Sequence, residues 1–259
     1  MIMMMQFQTI ITFHKTVATD YFEMRFAWPS SLPAPTPGQF LNLRSTDKSF
    51  PLLRRPFAFS GFEKSEASIV YQKRGPGTAN LSQKQTGDSI DIIAPLGEGF
   101  KASDKNRLHI IVSGGVGFGP LWFFSRTLKA AGFKFLFIHG ARSKDFIPEI
   151  AVLEAPVTIV CTDDGSLGFK GTTTDYLSTI DKATIDNSVL YACGPLPMLE
   201  ACNRISVKNG TECFVSMEQI MGCGFGACMG CVIKTKIGNA RVCKEGPVFS
   251  AKDIVWNSR

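Results

Sequence analysis

Histidine is scarce in this sequence: His14, His109 and His139 are the only three among 259 residues. No Ser/His/Asp triad and no paired-carboxylate constellation stands out, so no residue is assigned a catalytic role and no general base for an organic substrate is expected. Long apolar runs are missing too, and nothing approaches the roughly 18 consecutive apolar residues of a membrane span. The start, MIMMMQFQTIITFHK, lacks a basic n-region and a small-residue cleavage site, so no signal peptide is expected and a cytoplasmic location is. Lys and Arg number 28 against 22 Asp and Glu, a net charge of +6, yet they never form a run of five. A nucleic-acid-binding arm is therefore not expected, and a few arginines remain for phosphates. Internal repeats and low-complexity segments are also lacking.

What is present is an ordinary globular composition, 44% hydrophobic and 19% charged, on a chain long enough for two modest domains and a small appendage. Residues 6–100 read as β. FQTIITFHKT, FEMRFAW, QFLNLR, SIVYQKR and DSIDIIAP are bounded by Gly, Pro or polar turns, which predicts a small antiparallel barrel. Near residue 105 the character changes. RLHIIVSGG, LWFFSRTLKAAG, FKFLFIHGA, PEIAVLEA, VTIVCTDDG, TTDYLSTI, SVLYACGP and PMLEACNRISVKNG alternate strand and helix patterns, which predicts a parallel α/β sheet. From about residue 213 the alternation stops in a short Cys- and Gly-rich tail. The expected division is 1–102 (barrel), 103–211 (α/β) and 212–259 (tail).

Four of eight cysteines lie in that tail, spaced Cys223-x4-Cys228-x2-Cys231-x11-Cys243. A cytoplasmic chain of this size is not expected to hold a disulfide set. Cys161, Cys193, Cys202 and Cys213 read as buried free thiols. Structural zinc usually takes two short Cys pairs, and only Cys228 and Cys231 form one. The C-x4-C-x2-C run is instead the plant-type spacing of a [2Fe–2S] cluster, although the fourth cysteine follows closely. Zinc and a redox thiol site are the alternatives.

SGGVGFGP (113–120) follows an apolar strand and precedes a helix, a setting in which backbone N–H groups hold a pyrophosphate. Gly115 and Gly117 are in phase with the dinucleotide fingerprint, but Pro120 stands where its third glycine belongs, so a tight structural turn is the competing reading. HGARSKD, CTDDG and YACGPLP place polar and glycine residues at later strand ends, where open α/β sheets bind ligands. In the barrel, LLRRPFAFS and KRGPGTANLS together suggest a diphosphate clamp of Arg55 with the Gly77–Thr78 amides, Thr78 being a plausible N-cap.

In this order the motifs resemble the ferredoxin–NADP reductase superfamily over residues 6–245. PGQF (37–40), RPFA (55–58), GPGT (75–78), PLGEGF (95–100), SGGVGFGP, HGAR, DDG and YACGPLPML (191–199) carry that likeness. SMEQIMGCGFGACMGCVIKTK with RVCKEGPVF (241–249) is similar to one branch, the electron-transfer subunits of NAD-linked (class 1B) dihydroorotate dehydrogenase. The resemblance implies an FAD-binding β-barrel, a nucleotide-binding α/β domain and a small C-terminal [2Fe–2S] domain. It implies that Arg55, Pro56, Phe57, Ala58, Val70, Tyr71, Gln72, Gly77 and Thr78 meet FAD. Gly115 and Gly117 would lie near the NAD phosphates, and Cys193, Gly194 and Pro195 near the nicotinamide. Cys223, Cys228, Cys231 and Cys243 would hold the cluster.

A nicotinamide passes two electrons, an iron–sulfur cluster one, and a flavin either, so FAD between them is a two-to-one electron converter. The implied partner is an FMN-containing catalytic subunit that oxidises dihydroorotate to orotate in pyrimidine biosynthesis, in a heterotetramer of two plus two. Electrons would run from FMN through the cluster and FAD to NAD⁺, with the loop around Cys223–Cys231 facing the partner. A flavin/iron–sulfur reductase subunit serving a ferredoxin- or sulfur-linked complex is the alternative, and a zinc-stabilised interaction module is a third reading. Two positions depart from the flavin motif: Ala58 replaces a Ser or Thr, leaving its bond to Ser60 or backbone, and Phe57 lacks a tyrosine hydroxyl. NAD is expected over NADP, with Arg142 placed where it could meet a 2′-phosphate.

Overall fold

The computed structural model describes residues 4–46, 49–102, 104–149 and 158–256. Alternating side chains build its first half. In β2 (Tyr21–Ala27) Tyr21, Met24 and Phe26 point inward, and in β6 (Ser89–Leu96) Ile90, Ile92 and Ala94 do. With β1 (Met5–Ala18), β3 (Phe40–Arg44), β4 (Arg55–Glu63) and β5 (Glu66–Gln72) they close an antiparallel barrel in the order β1-β2-β5-β4-β3-β6. Closure leaves no exposed sheet edge. Ile11, Leu41, Leu43, Phe59 and Ile69 fill the interior and are fully buried. The one helix here among the described residues is short, α1 (Pro76–Ser82).

The second half is a seven-stranded sheet in the order β10-β9-β8-β7-β11-β12-β15. Its strands are β7 (Leu108–Gly114), β8 (Phe135–Ala141), β9 (Thr158–Thr162), β10 (Phe169–Lys170), β11 (Ser188–Cys193), β12 (Glu212–Ser216) and β15 (Val248–Ser250). All neighbours are parallel except β15, which runs antiparallel to β12. Among the described residues the connecting helices are α2 (Phe118–Ala130), α3 (Thr173–Thr179), α4 (Lys182–Asp186) and α5 (Leu196–Asn209). The element expected at PEIAVLEA (148–155) lies mostly outside the described residues. The parallel alternation runs one strand beyond the sequence pattern, because ECFVS pairs with β11 after the α5 helix. From β12 the chain leaves the sheet, makes the cysteine loop and a hairpin of β13 (Val232–Thr235) and β14 (Gly238–Arg241), then returns as β15. No helix among the described residues is long and apolar enough to cross a membrane.

A polar pair is buried where β7 and β8 run side by side. Ser113 opposes His139, whose Nδ1 is 2.8 Å from the Ser113 Oγ, and the His139 Nε2 has no partner among the described residues. Burial pushes His139 down to about 4 from its ordinary 6.5, against a smaller upward pull from Ser113. The unfolded chain therefore takes up this proton at higher pH than the folded one. The resulting stability is whole above pH 6.5 and is lost as pH falls toward 4, at a cost of about 3 kcal/mol. Urea titrations at pH 7 and pH 4.5 should show wild type losing more stability than His139→Leu, and equal losses would refute the assignment.

Candidate functional site

Backbone amides converge on the tail cysteines. Ala227 and Cys228 donate N–H to the Cys223 Sγ at 3.3 and 3.4 Å, Cys223 and Gly230 donate to the Cys228 Sγ at 3.5 Å, and Cys243 donates to the Cys231 Sγ at 3.4 Å. Partial burial raises the Cys223 thiol, but donors from Cys228, Phe225 and Ala227 outweigh it and bring the group down to about 6. Cys231 and Cys243 are buried, and burial pushes the Cys243 thiol up to about 12. These amide bonds pair Cys223 with Cys228 and Cys231 with Cys243. Among the described residues no three His, Cys, Asp or Glu side chains gather as a single-ion site. Two pairs suit two metal centres that each take two thiolates, as in [2Fe–2S], better than one tetrahedral zinc. Arg241 braces the loop, donating to the Gly226 carbonyl at 2.8 Å while its guanidinium pairs with Glu245 and holds that carboxyl at about 2.

Where barrel, sheet and cysteine segment meet lies a cleft of about 270 Å³. It collects Pro56, Phe57 and Ala58 from β4, Val70, Tyr71 and Gln72 from β5, Gly117 and Cys193 from the sheet domain, and Met217, Glu218, Gln219 and Met221 from the segment before the cysteines. Tyr71 is buried and packs against Phe57 at 5.6 Å, with its hydroxyl 2.9 Å from the Nε2 of His14. Phe57 thus joins an aromatic wall suited to a planar ring. Ser60 does not stand in for the hydroxyl missing at Ala58. Its Oγ is 3.0 Å from the Ser68 Oγ and lines a separate hollow, so any such bond falls to backbone. Glu218 opens to the cleft yet is hemmed in by protein atoms, which raises its carboxyl against a smaller opposing pull from Arg74.

The two adjacent arginines have different tasks. Arg54 pairs with Asp91 at 2.7 Å and donates to its carbonyl at 2.9 Å, so it is structural. Arg55 turns toward Gly77, where an added Cβ would lie 3.0 Å from the Arg55 Nε and 3.3 Å from the Ser45 Oγ. Ser45 is buried and its hydroxyl has no partner among the described residues. A guanidinium, an orphaned hydroxyl and a gap that only glycine leaves open make a cradle that fits a diphosphate. Thr78 is not the N-cap. Gly75 caps α1, and the Thr78 Oγ1 accepts the N–H groups of Arg74 at 2.8 Å and Gly75 at 3.1 Å. Pro76 starts the helix one turn earlier than a threonine cap requires.

A larger cleft of about 740 Å³ opens at the carboxyl ends of β7, β8, β9 and β11, where the strand order reverses, the usual place for a nucleotide in such a sheet. Gly115, Pro195, Arg142, Arg204 and Asp163 line it, and Arg74 lines both clefts with its Nε held 2.6 Å from the Gln72 Oε1. Gly194, with φ +158°, lies in sequence between Cys193 of the smaller cleft and Pro195 of the larger. Gly117 belongs to the smaller cleft, pressed on the end of β11 so closely that a Cβ would lie 2.1 Å from the Cys193 carbonyl oxygen. Burial pushes the Cys193 thiol up to about 12, so it stays neutral. Gly117→Ala should lower stability by about 3 kcal/mol through overpacking, read as a fall in melting temperature. An unchanged melt would place the turn elsewhere.

Sequence reasoning missed Asn42, Ser45, Arg74 and Glu218. Arg74 lies within KRGPGTANLS and Glu218 within SMEQIMGCG, where nothing singles them out, and Asn42 and Ser45 carry no local signal.

Residues 218–255 match the family model for the iron–sulfur cluster binding domain of dihydroorotate dehydrogenase B. A protein of Caldanaerobacter subterraneus subsp. tengcongensis named dihydroorotate dehydrogenase B (NAD⁺), electron transfer subunit, is 38% identical over 94% of this chain and 96% of its own length. One of the same name from a Geobacillus species is 36% identical over 98% and 100%. Among solved structures, that of an NADH-dependent reduced ferredoxin–NADP oxidoreductase superposes with a TM-score of 0.82 at 28% identity, covering 96% of this chain and 90% of that one. Phthalate dioxygenase reductase shares the fold alone, at TM-score 0.62 and 15% identity over 89% and 87%. On the near-full-length identity to curated relatives, this chain belongs to the family of dihydroorotate dehydrogenase B (NAD⁺) electron transfer subunits.

Proposed function

We propose that the chain relays electrons between an FMN-containing catalytic subunit, which oxidises dihydroorotate to orotate, and NAD⁺, using a [2Fe–2S] cluster and FAD as carriers. The observation that carries this reading is the meeting of three segments at one cleft: barrel motif, nucleotide-binding sheet and the segment that leads into the cysteine loop. When bound, FAD exchanges two electrons with the nicotinamide and one with the cluster.

The chain's own residues bind and orient. Arg55, Ser45 and the Gly77 backbone hold the FAD diphosphate, while Pro56, Phe57, Ala58, Val70, Tyr71 and Gln72 form the wall of its ring site. Gly115, Gly194 and Pro195 give the nicotinamide dinucleotide its floor, and Arg142 and Arg204 supply charge for its phosphates. Gly117 and Cys193, at the seam of the two clefts, keep the nicotinamide and flavin sites adjoining. Cys223, Cys228, Cys231 and Cys243 ligate the cluster. The α/β domain runs to about residue 217 and takes back 248–250 as β15, so the cluster segment is an excursion from its sheet. The relatives' names support NAD⁺, and the four buried free thiols Cys161, Cys193, Cys202 and Cys213 support a reducing cytoplasm. The complex is proposed as two plus two.

The test is anaerobic purification of tagged chain with its copurifying subunit, followed by dihydroorotate and NAD⁺. NADH and orotate should form one to one, only with the FMN subunit present. A preparation holding flavin and iron that forms no NADH would move the same relay to another electron partner. The likeness to the NADH-dependent reduced ferredoxin–NADP oxidoreductase makes a ferredoxin the next partner to try.

A further inference from the structure

We propose that Asn42 is a positioning residue that pins the cluster loop to the flavin-lining strands and thereby sets the rate of electron transfer between the two carriers. The inference rests on the cofactor reading above and adds a residue to which no sequence motif points.

β3 and β4 pair so that Phe40 opposes Ala58 and Asn42 opposes Pro56. Directly opposed residues share a face of the sheet. Phe40, Pro56 and Ala58 line the smaller cleft, so Asn42 lies on that same face, about 7 Å along the strand from Phe40. The ladder between β3 and β6 slips between these two positions, with Phe40 opposite Leu96 but Asn42 opposite Ile93, which puts one extra residue into β6. Bulges of this kind re-aim a side chain. Here the carboxamide reaches across 181 positions of sequence, and its Nδ2 donates to the Cys223 carbonyl at 3.1 Å. Gly224 follows with φ +81°, and a Cβ there would lie 2.4 Å from the same Nδ2. The loop therefore rests directly on the amide.

Two further facts give the contact its meaning. Asn42 is 0% exposed, and its Oδ1 has no partner among the described residues. A buried amide with half its capacity unused is costly where an apolar side chain would carry no such penalty, so the gain must lie in the bond it does make. Met221 lines the cleft only two residues before Cys223. The loop is thus tied to the flavin site at two points, by the packing of Met221 and by the Asn42 bond. Removing the second leaves the cysteine end to pivot on the first.

The experiment uses the full chain in complex with its partner, comparing wild type with Asn42→Ala, Asn42→Ser, Asn42→Leu and Gly224→Ala. The expected result for Asn42→Ala is wild-type FAD and iron content, wild-type flavin reduction by NADH, and single-turnover cluster reduction slowed roughly tenfold. The paramagnetic resonance spectrum of the reduced cluster should shift with it, because the Cys223 ligand moves. Asn42→Ser, which keeps a short donor, should fall between. Gly224→Ala strikes the same contact from the loop side but also strains a backbone at φ +81°, so Asn42→Leu, which fills the space without a donor, decides the matter if Asn42→Ala does not fold. Unchanged cluster reduction and an unchanged spectrum overturn the proposal. So does loss of iron from an otherwise intact Asn42→Ala, which would make the contact an assembly device. Wild type lacking FAD or iron would instead overturn the cofactor reading beneath it.

Discussion

Cys231→Ser should purify yellow and without its cluster. NADH should still bleach its flavin, while electron transfer to the partner subunit falls by at least about a hundredfold. Cys231 is 2% exposed and its Sγ accepts the Cys243 N–H at 3.4 Å. A serine hydroxyl there is a harder, weaker ligand that stays protonated near neutral pH, so one of the two thiolate pairs is lost. Neither the smaller nor the larger cleft includes Cys231, which is why the first half of the proposed relay should survive. Cys202→Ser is the control. That thiol is equally buried but packs in the sheet core, between α5 and the sheet, and its loss should cost stability and leave iron content whole. Iron and flavin content of the two purified variants, with one NADH titration each, check the expectation. A Cys231→Ser protein with full iron would mean that the cluster is held by another set.

How much of this was legible in the sequence depends on how local each device is. The iron–sulfur domain was legible because its signal is local: the C-x4-C-x2-C run lies within the stretch 218–255 that matches the cluster-binding family model. The parallel sheet was legible because fully buried strands such as HIIVSG are continuous apolar runs between helices. The barrel motif located β4 and α1 but could not assign Arg54 and Arg55, which look alike until Asp91, 37 positions away, claims one of them. Thr78 misled for a related reason. A hydroxyl near a helix start can accept N–H groups from N3 as well as from the cap, and Pro76 decides which. Glu212–Ser216 was assigned to the tail since its burial depends on α5 returning it to β11. Asn42 was beyond reach, because a buried amide in a barrel strand has no pattern of its own until the loop that it holds is in place.

Arg55→Ala should lose FAD, and Arg54→Ala should not. Neighbouring residues of one type, three bonds apart along the backbone, are expected to give opposite phenotypes. Arg55 stands with its Nε 3.0 Å from where a Cβ at Gly77 would lie, and the Ser45 hydroxyl, without a partner among the described residues, faces the same space. A charge-assisted bond to a diphosphate is worth about 1.5–3 kcal/mol, so FAD affinity should drop roughly 10- to 150-fold. Arg54 is spent on Asp91, and both side chains are largely shielded from solvent. Its removal leaves that carboxylate without its partner and should lower stability by about 3 kcal/mol, with FAD affinity unchanged. Gly77→Ala tests the cradle itself: a methyl group 3.0 Å from the guanidinium and 3.3 Å from the Ser45 hydroxyl occupies the room that the diphosphate needs. Flavin content after gel filtration, FAD titration of stripped protein and thermal melts separate the three variants. Loss of FAD from Arg54→Ala with retention in Arg55→Ala would exchange the two roles and move the diphosphate away from Gly77. Loss from Arg55→Ala and Gly77→Ala alone places the phosphates between β4 and the start of α1, with the ring directed along β4 toward Cys193 and the segment that carries the cluster.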